Sequence, residues 1–143
     1  MRFWPLLADS AQAVGGKLYL LGGGWNVIGP APSTMALAGV LELEWDEANR
    51  PKRLRVELLT EDGVAVTVPA PVGDIAFVLE MDVEVGRPAG TKAGTPFNVP
   101  IALNLGPIAL APGGRYVWKF FIDGESRDEW RLPFVTRPAA LER

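Results

Sequence analysis

The side chains that most often carry out chemistry are the ones this chain lacks. Its 143 residues include no histidine and no cysteine. That excludes serine–histidine and cysteine–histidine nucleophile pairs, thiolate chemistry, disulfides and cysteine-based zinc sites. Carboxylates are what remain. Glu80, Asp82 and Glu84 stand at alternate positions, which on a strand places three carboxylates on one face. Alternate residues of a strand point in parallel about 7 Å apart, whereas calcium takes about six to eight oxygens converging from several directions. The triplet therefore reads as a solvated face, and neither a metal nor another cofactor is expected. A glycosidase-like pair of acids would need a deep cleft and a carboxyl of raised pKa, so a carboxylate-dependent hydrolase ranks last among the readings.

Two further features invite a functional reading. Gly22-Gly23-Gly24 follows an expected strand from Lys17 to Leu21, as a dinucleotide-binding loop would. The third glycine of that pattern is replaced by Val27, however, and Gly29-Pro30-Ala31-Pro32 prevents the helix whose N-terminus would hold a pyrophosphate. A bulged strand end with Trp25 tucked onto the core is expected instead. The five tryptophans could stack on sugars or anchor a protein. Trp45, Trp118 and Trp130 fall on apolar faces, which leaves Trp4 and Trp25 as candidate surface anchors.

The elements that must position these residues are strands. Period-two alternation runs through the chain, and no stretch of a dozen residues between the glycines and prolines carries a helical stripe. Met35, Leu37, Leu41, Leu43 and Trp45 share one parity, with Glu42 and Glu44 on the other. Leu54, Val56 and Leu58 alternate with Arg53, Arg55 and Glu57. Joining the two runs as a hairpin sets Glu44 across from Arg53 and Glu42 across from Arg55, while Leu43 meets Leu54. Hydrophobic and charge patterns agree on that register. Further runs follow at Val64 to Val68, Ile75 to Val85, Phe97 to Leu105 with Pro100 marking an edge or a bulge, Tyr116 to Ile122, and Trp130 to Phe134. Asp123-Gly124 marks the last hairpin. A three-residue loop of Ile122, Asp123 and Gly124 is expected there, because a two-residue loop would bring Arg127, Glu129 and Arg131 onto the aromatic face.

Eight to nine short strands separated by turn signals predict an all-β fold, a two-sheet antiparallel β-sandwich of immunoglobulin-like or jelly-roll type, with a small barrel as the alternative. The length suits a single domain over residues 1–143. Hydrophobic content of 48% and charged content of 22% are those of a globular chain. A net charge of -3 and no basic stripe argue against nucleic acid as a partner. Arg50, Lys52, Arg53 and Arg55 read as strand-surface charges paired with nearby carboxylates. The N-terminus mimics a secretory leader, but its apolar stretch from Phe3 to Ala8 is short and contains Pro5. It is expected to be a strand, in a soluble cytoplasmic protein without membrane contact.

Counting strands up and down places the loops Gly22 to Thr34, Gly86 to Pro96 and Asp123-Gly124 at one end, with Asp9 to Gly16, Asp46 to Pro51 and Gly106 to Gly114 at the other. The first end would gather Trp25, Asn26, Arg87, Lys92 and Asp123, a mixture of aromatic, amide and charge suited to recognition.

Short motifs also run along the chain: Ala8-Asp9 with Ala11-Gln12, Gly16-Lys17-Leu18-Tyr19, Gly22 to Trp25, Asn49-Arg50-Pro51, Pro112-Gly113-Gly114-Arg115-Tyr116 and Ile122-Asp123-Gly124. Together they resemble a family of small bacterial proteins of unassigned function, over nearly the whole length. The resemblance implies a β-sandwich and carries no catalytic residues. The function is therefore unknown from sequence. The leading expectation is a non-enzymatic protein-interaction or assembly module, with a protein partner or self-association, since edge strands can recruit partners. The alternative is a small-ligand or carbohydrate-binding sandwich that uses loop aromatics.

Overall fold

Alternating runs become strands here because each must put its apolar parity into a shared core and its polar parity into water. The structure, a computed structural model, describes residues 1–139. In chain order the strands are β1 (Arg2–Val14), β2 (Lys17–Gly23), β3 (Val27–Ile28), β4 (Met35–Leu43), β5 (Lys52–Thr60), β6 (Thr67–Val68), β7 (Ile75–Ala76), β8 (Val78–Val83), β9 (Phe97–Leu105), β10 (Arg115–Ile122) and β11 (Arg131–Thr136). The fold is all-β. Among the described residues it corrects the expected eight to nine strands in two sheets to eleven strands in three sheets.

One sheet has the order β2-β1-β4-β9, the second the order β3-β11-β10-β5-β8, and β6 pairs with β7 alone. The two larger sheets share one core. Phe3, Leu7, Leu37, Leu41 and Ile101 come from the first, and Leu54, Val56, Leu58, Trp118, Phe120 and Phe134 from the second. Burial of each such side chain is worth about 1.5–3 kcal/mol. Trp118 and Trp130 are fully buried, as their parity requires. Trp45 lies just beyond β4 and is only half-buried, stacked on Phe97 at 5.6 Å between centroids. The lone parallel pair among the described strands joins β3 to β11.

The β4–β5 hairpin expected from matching charges does not form. β4 pairs with β1 and β9, while β5 pairs with β10 and β8 in the other sheet. A 3-10 turn at Trp45–Glu47 carries the chain between the sheets. Both faces were read correctly and the partner was not, because β8 offers carboxylates at the same spacing as β4. Arg53 meets Asp82 and Glu80, and Arg55 meets Glu80.

The last hairpin also differs from expectation. Ile122 and Glu125 exchange backbone bonds across Asp123-Gly124, both left-handed at φ 50 and 79, so the loop has two residues. The parity conflict is removed downstream. A 3-10 turn at Asp128–Trp130 shifts the register, so that Trp118 faces Leu132 and Tyr116 faces Phe134.

Candidate docking edge

The two larger sheets have four edge strands: β2 and β9 on one, β3 and β8 on the other. An edge strand presents unpaired N–H and C=O groups, and soluble proteins guard such edges with charge, proline, bulges or brevity. β3 has only two residues. β9 contains Pro100, which has no N–H to offer an added strand. β8 carries Glu80 and Asp82. β2 has no proline and is not short; Lys17 is its single charge, and its extended run bends at the left-handed Gly22.

Its side chains are equally open. Tyr19, Leu20 and Leu21 are 53%, 41% and 68% exposed, with Val14 of β1 exposed across the hairpin. Among the described residues no strand pairs with β2 on the side away from β1.

The arm that carries this edge is nevertheless well anchored. β1 extends beyond the start of β4, whose last pairing with β1 is Ala8 with Ala36, so the following main chain loses its strand neighbour. Asn104 of β9 takes that neighbour's place. The Ala11 N–H donates to Asn104 Oδ1 at 3.0 Å, and Asn104 Nδ2 donates to the Ala11 carbonyl at 2.8 Å. Ala11 and Leu18 of the hairpin join Ala8, Ala36, Ala38 and Ala102 in a second apolar cluster. Small side chains there let the arm lie close to the sheet. Gly39, paired with Pro5, serves the same close approach, since a Cβ at that position would stand 2.5 Å from the Trp4 carbonyl oxygen. Gly22, left-handed at φ 61, leaves room for the Asp9 carboxylate.

The residues expected to form one recognition end are split between two. Trp25 packs edge-on against Phe134 at 6.5 Å, and the Asn26 carbonyl accepts the Val135 N–H. They sit beside the Gly106 to Gly114 loop, whose Gly113 N–H bonds the Arg137 carbonyl. Arg87 lies at the opposite end. Its guanidinium stands 4.2 Å from the Trp45 ring and donates to the Trp45 carbonyl. Asp123 is at that same end, where its carboxylate accepts the Arg53 N–H at 2.8 Å and lies 3.5 Å from Lys52 Nζ. The hydrogen bond to Glu47 pushes the Lys52 pKa up from its ordinary value, against partial burial. Lys92 is exposed in the loop between β8 and β9. The up-and-down count fails because β2 and β4 both run antiparallel to β1 and hence parallel to each other. That costs one reversal, which moves Gly22 to Thr34 away from Gly86 to Pro96 and brings Asp46 to Pro51 to the Arg87 end.

A family model describing a family of unknown function, DUF6941, matches residues 4–135. The chain belongs to that family. Searches of curated proteins and of solved structures found no significant match. DUF6941 membership agrees with the family of unassigned function anticipated from the short motifs, and it assigns no activity to any residue.

The remaining surface of this DUF6941 chain offers less. A broad groove of about 910 Å³ over β10 and β11 is bordered by Asn26, Glu61, Arg115, Asp128 and Arg131. Glu61 pairs with Arg115 at 3.7 Å. Both groove carboxylates are exposed. Neither candidate tryptophan faces it. Trp25 is turned onto the core, and Trp4, 48% exposed, lies on β1 with the Arg2 guanidinium 5.2 Å from its ring. Of the three carboxylates at alternate positions, Glu80 and Asp82 are bound to Arg53, and Glu80 also to Arg55. Those two guanidiniums hold the Glu80 carboxyl below its usual range. No described helix is long and apolar enough to cross a membrane.

Sequence reasoning placed a strand at Lys17 to Leu21, where β2 lies, but gave it no functional role, and it missed Asn104. A signal for β2 was present, since Leu18-Tyr19-Leu20-Leu21 is apolar on both parities and a strand at a sheet edge cannot bury both. Asn104 had none, because its role depends on β1 running past its pairing with β4, which leaves the Ala11 backbone beside β9.

Proposed function

We propose that this chain is a non-enzymatic protein-interaction module that receives an extended strand along the free edge of β2. The observation that carries this reading is the combination of a free backbone edge with three consecutive exposed apolar residues, Tyr19, Leu20 and Leu21. Main-chain hydrogen bonds from such an edge supply affinity, and alternate side chains supply selectivity. An arm held by Asn104 and the alanine cluster presents that edge already ordered, which lowers the entropic cost of docking.

The reading includes an immunoglobulin-like sandwich working in the cytoplasm. Three features support the sandwich form: two larger sheets on one core, a parallel β3–β11 pair, and a tyrosine at the start of β10. Tyr116 Oη accepts the Ala111 N–H at 3.0 Å, and a ring-to-backbone bond a few residues upstream is a hallmark of immunoglobulin domains. In that framework β2 is an added strand outside the sheet formed by β1, β4 and β9.

The test is a paired set of surface variants assayed for capture of partners identified by cross-linking in the source cell. Leu21→Lys is expected to abolish capture while leaving the unfolding free energy within about 0.5 kcal/mol of wild type. Trp25→Ala and Arg87→Ala, at the two ends, are expected to retain capture. The opposite pattern would refute the β2 reading.

A further inference from the structure

We infer that Met81 is a reversible oxidation site whose sulfoxide releases β8 from the sandwich. The inference is independent of docking at β2.

Sulfur chemistry in this chain is confined to methionine, since there is no cysteine to intercept an oxidant. Three methionines are present. Met35 is 2% exposed and the Met1 side chain 11%, whereas Met81 is 36% exposed. The susceptibility of a sulfur follows its exposure, so an oxidant reaches Met81 first.

The surroundings of Met81 make that change consequential. It stands opposite Leu54 in the β5–β8 pair, on the face turned toward the core, and no described strand flanks β8 on its other side. A slot of about 270 Å³ separates β8 from β9, and Met81 lines it with Leu54, Leu79, Leu103 and Leu105. Leu79, Leu103 and Leu105 are only half-buried although their parity points them inward. The sandwich is open along this flank. A water molecule takes up about 30 Å³ in the liquid, so hydrogen peroxide, little larger, can enter. The slot has two polar side chains. Glu80 has no proton to give, and the Asn104 amide is bonded to Ala11. An oxygen added to the Met81 sulfur therefore finds no donor inside and must turn out to water, taking the side chain with it. What then holds β8 to β5 besides the backbone is the outer set of ion pairs, Arg53 with Glu80 and Asp82 and Arg55 with Glu80. These are exposed and hold weakly.

The oxidant is a peroxide. A sulfur lone pair attacks one peroxide oxygen, the O–O bond breaks as the S–O bond forms, and the departing hydroxide takes the proton of the transferred oxygen to leave as water. Sulfur loses two electrons and the peroxide gains them. Methionine sulfoxide reductase, with a thiol as reductant, returns the thioether and releases the oxygen as water.

The test treats the whole chain with dilute hydrogen peroxide and follows it by peptide mass spectrometry and hydrogen exchange. Oxygen should be gained at Met81 about tenfold faster than at Met35 or Met1. In the oxidised chain the β8 amides bonded to β5 should exchange about tenfold faster, while β1, β4 and β10 keep their protection. Reductase with dithiothreitol should restore the original exchange. Met81→Leu, which conserves apolar volume, should keep β8 protected in the same peroxide. Equal oxidation at Met35 or Met1 would overturn the selectivity. Unchanged β8 exchange after oxidation of Met81, or loss of β8 protection in peroxide-treated Met81→Leu, would overturn the release of β8. Exchange that stays fast after reductase has removed the oxygen would overturn its reversibility.

Discussion

β8 and β2 are both edges of large sheets, and they are finished in opposite ways. β8 lays Glu80 and Asp82 beside Arg53 and Arg55 of β5, so its outer surface is a band of paired charge. A strand arriving there would have to desolvate or displace those ions. β2 offers Tyr19, Leu20 and Leu21 to solvent with one lysine at its end. A strand arriving there loses almost nothing and removes apolar surface from water. Local charge density therefore separates a closed edge from an open one more clearly than strand length or hydrogen-bonding capacity does. The two edges also differ in support. β8 is held along its length by β5, whereas the β2 arm depends on close packing at a few small residues and on one asparagine.

The comparison breaks most severely at Gly39. Gly39→Ala drives a methyl group into the Trp4 carbonyl and the Phe3 ring, so β1 must move away from β4. The expected cost is about 1–3 kcal/mol or more, measured by denaturant titration, with loss of β2-dependent association. A wild-type midpoint in that variant would show that the β1–β4 approach is looser than described.

Asn104→Ala tests the arm alone. It leaves the Ala11 N–H and carbonyl without their partners, at about 1–3 kcal/mol. Hydrogen exchange should accelerate at Ala11 and along β2 while β5, β8 and β10 keep their protection. Uniform acceleration over both sheets would mean that the arm is not a separable unit.

The smallest effect belongs to the charged edge. The Arg53 and Arg55 guanidiniums hold the folded-state pKa of Glu80 below 4.5, so its contribution is present above that value and is lost as pH falls through the lowered pKa. Glu80→Gln should lower the thermal midpoint slightly at neutral pH, and the difference from wild type should vanish in acid. Because these groups are solvent-exposed, added salt should shrink that difference too. Association through β2 should persist in the same salt, since apolar burial is not screened. A salt-sensitive β2 contact would place charge, not apolar area, at that edge.

Much of the fold was legible in the chain because alternation states which side chains point inward. Met35, Leu37, Leu41 and Leu43 are buried as their parity requires, as are Leu54, Val56 and Leu58. Gly22 to Gly24 form a strand end with left-handed residues, and Trp25 folds back onto Phe134. Far less of the candidate site was legible. Trp25, Asn26, Arg87, Lys92 and Asp123 were grouped by counting reversals, and a count is upset by one pair of strands on opposite sides of a third.

What the sequence determined by itself was therefore local and chemical: the strand faces, the turn positions, the absence of histidine and cysteine chemistry, and an apolar segment at Leu18 to Leu21 that no single face could bury. Tertiary structure decided which strand lies beside which. Arg53 and Arg55 could be satisfied equally by Glu42 and Glu44 or by Glu80 and Asp82, because each pair stands two residues apart, and only the packing of two sheets around Trp118 and Phe120 chose β8. The same packing left β2 at an edge. Position in the sheet is a property of all the strands together, and it alone turned Tyr19, Leu20 and Leu21 from core-like residues into an exposed surface.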